Sequence, residues 1–127
     1  MPSPAGYRFS ESHEWHNLEG DTVTLGLSKH AVNELTDVTY VEMKPVGFSF
    51  EPGDVIGEVE SVKATSEIYS SVGGEIIEVN EKAHSDPSVI NSDPHGDGWL
   101  VKIKVADPAP LESLMDAKTY DSKHPTD

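Results

Sequence analysis

The chain has 127 residues, enough for one domain built around one hydrophobic core. Nine basic against 23 acidic residues give a formal net charge of -14, a sign that repels phosphate backbones and anionic lipid and argues against nucleic-acid and membrane binding. There is no cysteine, so disulfides, protein thiol chemistry and Cys-based metal sites are excluded, and no run approaches the ~20 apolar residues of a membrane span.

Residues 1–6, Met1-Pro2-Ser3-Pro4-Ala5-Gly6, read as a flexible lead. They show neither an apolar signal core nor an Arg-rich amphipathic segment. That favours the cytoplasm, or the mitochondrial matrix if the source is eukaryotic. His13-Glu14-Trp15-His16 reads as a surface turn carrying two histidines. Thr22 to Leu27 alternates polar and apolar residues as a half-buried strand does. Ser28 is placed to N-cap a short helix over Lys29 to Leu35, with Val32 and Leu35 inward. Asp37 to Met43 is a second β segment, and Glu51-Pro52-Gly53-Asp54 is a β-turn with Pro and Gly at its centre. Three strands follow, Val55 to Val62, Ser66 to Ser70 and Gly74 to Asn80, with Ser71-Val72-Gly73-Gly74 as the turn between the last two.

Residues 84–98 are rich in Asp, Pro, Ser and Gly and read as a long loop. Trp99 to Val105 alternates again, with Trp99, Val101, Ile103 and Val105 on one face. Asp107-Pro108 reads as the start of a C-terminal helix over 107–120, whose apolar stripe is Leu111, Leu114 and Met115. Residues 121–127 are expected to fray. The whole is a mainly β single domain, 1–127, with one short internal helix and one helix at the end.

Of the chemistry such a chain could carry, most patterns fail on spacing. The two histidines of His13-Glu14-Trp15-His16 lack the H-E-x-x-H spacing of a metallopeptidase helix. Asn91 to Asp97 has a proline inside what would be a calcium loop, and Lys102 stands where the bidentate Glu belongs. Nucleophile elbow, phosphate loop and dinucleotide fingerprint are missing, and the sequence argues for no enzyme activity of its own.

Lys63 stands out. It is the only basic residue between Lys44 and Lys82 and falls at or near a tight hairpin tip. Its flanking charges, Glu58, Glu60 and Glu67, are all acidic, and its neighbours Val62 and Ala64 leave the amine sterically open. An ordinary lysine there would simply be solvated. A lysine acylated there becomes an uncharged, longer, flexible arm, so the residue reads as a site of covalent modification.

The run Val59-Glu60-Ser61-Val62-Lys63-Ala64-Thr65-Ser66-Glu67 closely resembles the lipoyl-attachment site of the glycine cleavage system H protein family. Ser12-His13-Glu14-Trp15, Gly20 to Gly26, Ala31 to Leu35, Val41-Glu42, Gly74 to Asn80, Asn91 to Pro94 and Gly98 to Lys104 also fit, so the resemblance covers about residues 7–120. Thr36, Lys44, Glu67 and His95 depart from the family pattern without touching the lysine.

The resemblance implies a barrel-sandwich (lipoyl/biotinyl-like) fold of two antiparallel sheets and a non-catalytic carrier role. Lipoate bound covalently to Lys63 would accept an aminomethyl group from the pyridoxal-phosphate enzyme glycine decarboxylase. It would pass that group to the tetrahydrofolate-dependent aminomethyltransferase and be reoxidised by dihydrolipoamide dehydrogenase. A lipoate-attaching enzyme is a further implied partner, and a monomer is expected. The family's loaded arm folds into a cleft, for which Glu14 and Ser12, with Glu67 nearby, are the matching candidates. Other readings are a lipoyl or biotinyl carrier domain of another system, an H-like lipoyl relay, or an unmodified binding module.

Overall fold

The alternating segments resolve into two antiparallel sheets in a computed structural model that describes residues 6–10 and 12–123. In chain order the elements are β1 (Arg8–Phe9), β2 (Glu14–Glu19), β3 (Thr22–Leu27), α1 (Lys29–Leu35), β4 (Val38–Met43), β5 (Ser49–Phe50), β6 (Val55–Ser61), β7 (Thr65–Tyr69), β8 (Gly74–Val79), α2 (Glu81–Ser85), α3 (Ser88–Ser92), β9 (Val101–Val105), β10 (Met115–Asp116) and α4 (Ala117–Lys123). Among the described residues the larger sheet has the order β10-β1-β2-β3-β9-β8-β5 and the smaller β4-β6-β7. The expected mainly β fold of two antiparallel sheets is borne out.

The alternation explains the layering. Val23, Leu25, Val101, Ile103 and Ile76 of the large sheet are buried against Val41, Ile56, Val59 and Ile68 of the small one. Each such side chain contributes about 1.5–3 kcal/mol on burial, so the two sheets are held face to face chiefly by these branched aliphatics. Ser28 N-caps α1 as its sequence suggests, its Oγ accepting the Ala31 N–H at 3.1 Å. The Pro52-Gly53 turn also forms: Asp54 N–H reaches Glu51 O at 3.1 Å, with Gly53 at φ 90. Among the described residues no helix is long and apolar enough to cross a membrane.

Four expectations need correction. The single helix over 107–120 does not form. Pro110, which lacks an N–H, lies inside the segment, which instead makes a 3-10 turn over Ala109–Ser113. Met115–Asp116 then extends and pairs with Arg8–Phe9, and Asp116 Oδ1 accepts the Thr119 N–H at 2.8 Å to start α4. The apolar stripe is thereby split: Leu111 enters the main core, while Met115 joins a second cluster of Phe9, Trp15, Ala117 and Tyr120. Asp121 to Lys123, expected to fray, belong to α4. Residues 124–127 and 1–5 of the expected tail and lead lie outside the described residues.

Second, residues 84–98 include helical turns. Asn80 caps α2, and α3 buries Val89 and Ile90; each helix is too short for a 3.6-residue period to show. Third, the strand expected from Trp99 starts at Val101. Trp99 packs on the second cluster while Leu100 enters the core. Fourth, only His13 lies in a turn, at φ 71; Glu14 to His16 are strand residues enclosed between β1 and β3 and buried. The Ser71–Gly74 turn exists but makes no hairpin. It carries the chain from the small sheet to the large one, where Gly74 pairs with Val105 and Phe50.

Candidate functional site

β6 and β7 form the hairpin expected around Lys63, paired from Val55↔Tyr69 to Glu60↔Thr65. At the tip, Ser61 N–H reaches Ala64 O at 2.8 Å, which closes the turn. The Ser61 hydroxyl oxygen accepts the backbone N–H of Lys63 at 3.1 Å and of Ala64 at 3.0 Å. Val62 N–H is tied to Asp37 O at 3.1 Å. The tip backbone is thus internally bonded, and the exposed Lys63 forms no ion pair among the described residues. Ser61 is a brace that sequence reasoning missed; a Ser two residues before the lysine is the side-chain-to-backbone turn signal that could have found it.

The outer face of the small sheet is acidic. Glu42 stands opposite Glu58, and Glu58 opposite Glu67, across the three strands. Like charges facing one another across strands cost stability, so this face is better suited to meeting a cation than to packing. Glu67 lies four residues beyond Lys63, about 13 Å along an extended strand, and Tyr69 about 20 Å. Glu67 Oε1 accepts the Tyr69 hydroxyl at 3.3 Å, and its charge, more than burial, raises the Tyr69 pKa.

Glu14 is far from the solvated charge its sequence position suggests. It is 1% exposed. Its Oε1 accepts the hydroxyls of Ser10 at 2.6 Å and Ser12 at 2.5 Å, and its Oε2 accepts the Tyr69 N–H at 3.0 Å. Burial pushes its pKa up, against the opposing pull of these donors. Ser12 is exposed and lines a groove of about 740 Å³ with Phe9, Gly53, Tyr69, Ser70 and Ser71.

The structure therefore brings Ser12 and Glu14 together and links both to Glu67 through Tyr69, whose backbone serves one carboxylate and whose hydroxyl serves the other. Lys63 stands apart, at the far end of the same hairpin. Tyr69, Ser10 and His16 were not anticipated as site residues. His16 is fully buried and its Nε2 accepts the Ser71 N–H at 3.2 Å. Chemically, the arrangement offers an accessible primary amine on a braced tip and, down the strand, carboxylates and hydroxyls that suit an ammonium.

Comparison with known proteins matches residues 7–126 to the family model described as glycine cleavage H-protein. A glycine cleavage system H protein of Synechococcus sp. (strain CC9902) is 43% identical over 120 residues, covering 94% of this chain and 93% of the relative. Glycine cleavage system H protein 2 of Pseudomonas putida (strain KT2440) is 51% identical over 118 residues, covering 92% of each. The crystal structure of a glycine cleavage system H protein from Mycobacterium marinum superposes with a TM-score of 0.86 at 32% identity, covering 94% of this chain and 97% of that one.

Proposed function

The chain belongs to the glycine cleavage H-protein family, and from that premise we propose that Lys63 is the residue that bears its lipoyl group. It is a non-catalytic carrier of the glycine cleavage system that shuttles an aminomethyl group on a lipoyl-lysine. One observation carries the assignment to Lys63: its amine projects from a hairpin tip whose own backbone is satisfied by Ser61 and Asp37. A modifying enzyme can grip such a tip without unfolding it.

The residues present fit the group. Amide formation at Lys63 removes its charge and yields an arm that can lie along the outer face of β7. When bound, lipoate supplies the disulfide that receives the aminomethyl group. With no cysteine in the chain, no protein thiol competes for those sulfurs. Glu67, exposed on the hairpin, and Ser12, on the groove rim, are the residues that would face the ammonium of a loaded arm, with the buried Glu14 carboxylate held behind Ser10 and Ser12 and Lys123 as the one cation among the described residues lining the groove. Phe9, Leu114 and Met115 give the groove an apolar side.

Its partners, on this reading, are glycine decarboxylase, the aminomethyltransferase, dihydrolipoamide dehydrogenase and a lipoate-attaching enzyme. We take the chain to act as a monomeric single domain in the cytoplasm. Its acidic surface suits successive docking on basic patches of several enzymes.

The test is intact mass after incubation with lipoate, ATP and a lipoate-attaching enzyme. The native chain is expected to gain one lipoyl increment and Lys63→Arg none. A lipoyl increment on Lys63→Arg would overturn the assignment.

A further inference from the structure

β7 is an edge strand: β6 pairs with one side of it, and among the described residues no strand pairs with the other. Past its end the backbone keeps the same alternation. Ser70 N–H turns to the β6 side and reaches Asp54 O at 3.2 Å. The amides of Tyr69 and Ser71 point the other way, toward β2. There they meet side chains, not a strand. Glu14 Oε2 takes the Tyr69 N–H at 3.0 Å, and His16 Nε2 takes the Ser71 N–H at 3.2 Å. Glu14 and His16 are two residues apart on β2, as Tyr69 and Ser71 are on their segment. Both spacings are about 6.6 Å, so two acceptors match two donors in register.

The His16 arrangement is costly. Because Ser71 donates, Nε2 is an acceptor and the neutral ring carries its proton on Nδ1. That Nδ1 is buried and has no partner at hydrogen-bonding geometry, although the backbone of Glu14 and Arg8 lies close to the ring. The ring pays for desolvation on one side while serving a single backbone amide on the other. An aliphatic residue would fill the space without this penalty, but it would leave the Ser71 amide without its acceptor.

We propose that His16, together with Glu14, is a positioning residue: the two side chains stand in for a missing strand and fix the root of the arm-bearing hairpin, Tyr69 to Ser71, against the large sheet. Tyr69, Ser70 and Ser71 form one wall of the Ser12 groove, so the clasp sets the width of the site that shelters the loaded arm. The inference rests on the reading above that the arm returns to this groove. Acylation of Lys63, about 20 Å up the hairpin, is indifferent to it.

Two measurements test the clasp. In uniformly ¹⁵N-labelled protein, a scalar coupling across the N–H···N bond should connect the Ser71 amide to His16 Nε2, with imidazole shifts of the Nδ1–H tautomer. An absent coupling, or a proton on Nε2, overturns the proposal without reference to the arm. In the lipoylated, aminomethyl-loaded protein, His16→Leu should shorten the lifetime of the loaded group severalfold. His16→Gln, whose amide oxygen can accept the Ser71 N–H, should restore most of it. Lipoylation rates of both variants should equal that of the native chain. Equal lifetimes in all three proteins, or equal shortening by Leu and Gln, would sink the positioning role. A native loaded arm that decays as fast as a free dihydrolipoamide adduct would instead strike down the groove reading, and the positioning role with it.

Discussion

Glu14 and Tyr69 are joined across the two sheets: the buried carboxylate of one accepts the backbone N–H of the other at 3.0 Å. This bond ties the hairpin that carries Lys63 to the second strand of the large sheet, and it makes a residue matched by motif into part of the framework. Removing the carboxylate leaves Tyr69 N without its acceptor and leaves the Ser10 and Ser12 hydroxyls only longer contacts, 3.3 Å to each other and 3.4 Å from Ser10 Oγ to Glu14 O. Glu14→Ala is expected to cost about 2–4 kcal/mol and to shorten the lifetime of the loaded arm. Glu14→Gln keeps the shape and one acceptor oxygen and should cost less than half as much. Urea unfolding of the two variants checks the order.

Acid should weaken the fold through His16. Burial lowers its pKa from 6.5 to about 4, while nearby backbone groups of Glu14 and Arg8 ease the penalty. Above pH 6.5 the ring is neutral in both states and its contribution is complete. As pH falls from 6.5 toward 4 the unfolded chain takes up a proton that the folded chain refuses, so stability is lost, by about 3 kcal/mol when the window is crossed. Glu14, whose pKa is raised, acts in the opposite sense: its protonation as pH falls relieves a buried charge and returns part of that loss. His16→Leu should therefore lose about 3 kcal/mol less than the native chain between pH 7 and pH 4. Equal pH slopes in chemical denaturation would contradict this.

The brace at the tip predicts a separation of stability from modification. Ser61→Ala frees the amides of Lys63 and Ala64 to solvent, and because the tip is exposed the cost should stay below about 1 kcal/mol. Lipoylation, which needs the turn presented in one shape, should slow severalfold in a mass-spectrometric time course.

Gly26 is a packing constraint. A Cβ there would lie 2.8 Å from the Trp15 ring, which is itself fixed by its Nε1–H to Pro94 O at 2.8 Å. Gly26→Ala is expected to destabilise by about 1–3 kcal/mol and to shift the Trp fluorescence, since Trp15 must leave its stack on Tyr7.

Docking of α4 depends on Tyr120. Its ring stacks on Phe9 with centroids 4.4 Å apart, and its hydroxyl bonds Ser28 Oγ and His13 Nδ1, both at 2.6 Å. Tyr120→Phe should cost about 1–2 kcal/mol, and Tyr120→Ala about 3–5 kcal/mol. The larger change should open residues 117–123 to limited proteolysis.

Much of this was legible because the physics involved is local. Period-two alternation marked β3 and β9, apolar runs between turn signals marked β4, β6 and β7, Ser28 announced α1, Pro52-Gly53 announced its turn, and the lone cation at a turn singled out Lys63. Where prediction failed, a distant partner decided. Met115–Asp116 is a strand because Arg8–Phe9 lies alongside it, and Glu14 to His16 are buried because β1 and β3 enclose them. The short helices α2 and α3 are too brief to leave a period.

By itself, then, the sequence determined the class of fold, the attachment lysine as a candidate, and the carrier family through motifs spread over nearly the whole chain. Only the tertiary structure decided what Glu14 and His16 do. Side-chain acceptors that serve the backbone amides of residues 55 positions away leave no spacing rule in the chain, because their pairing exists only once the two sheets have met.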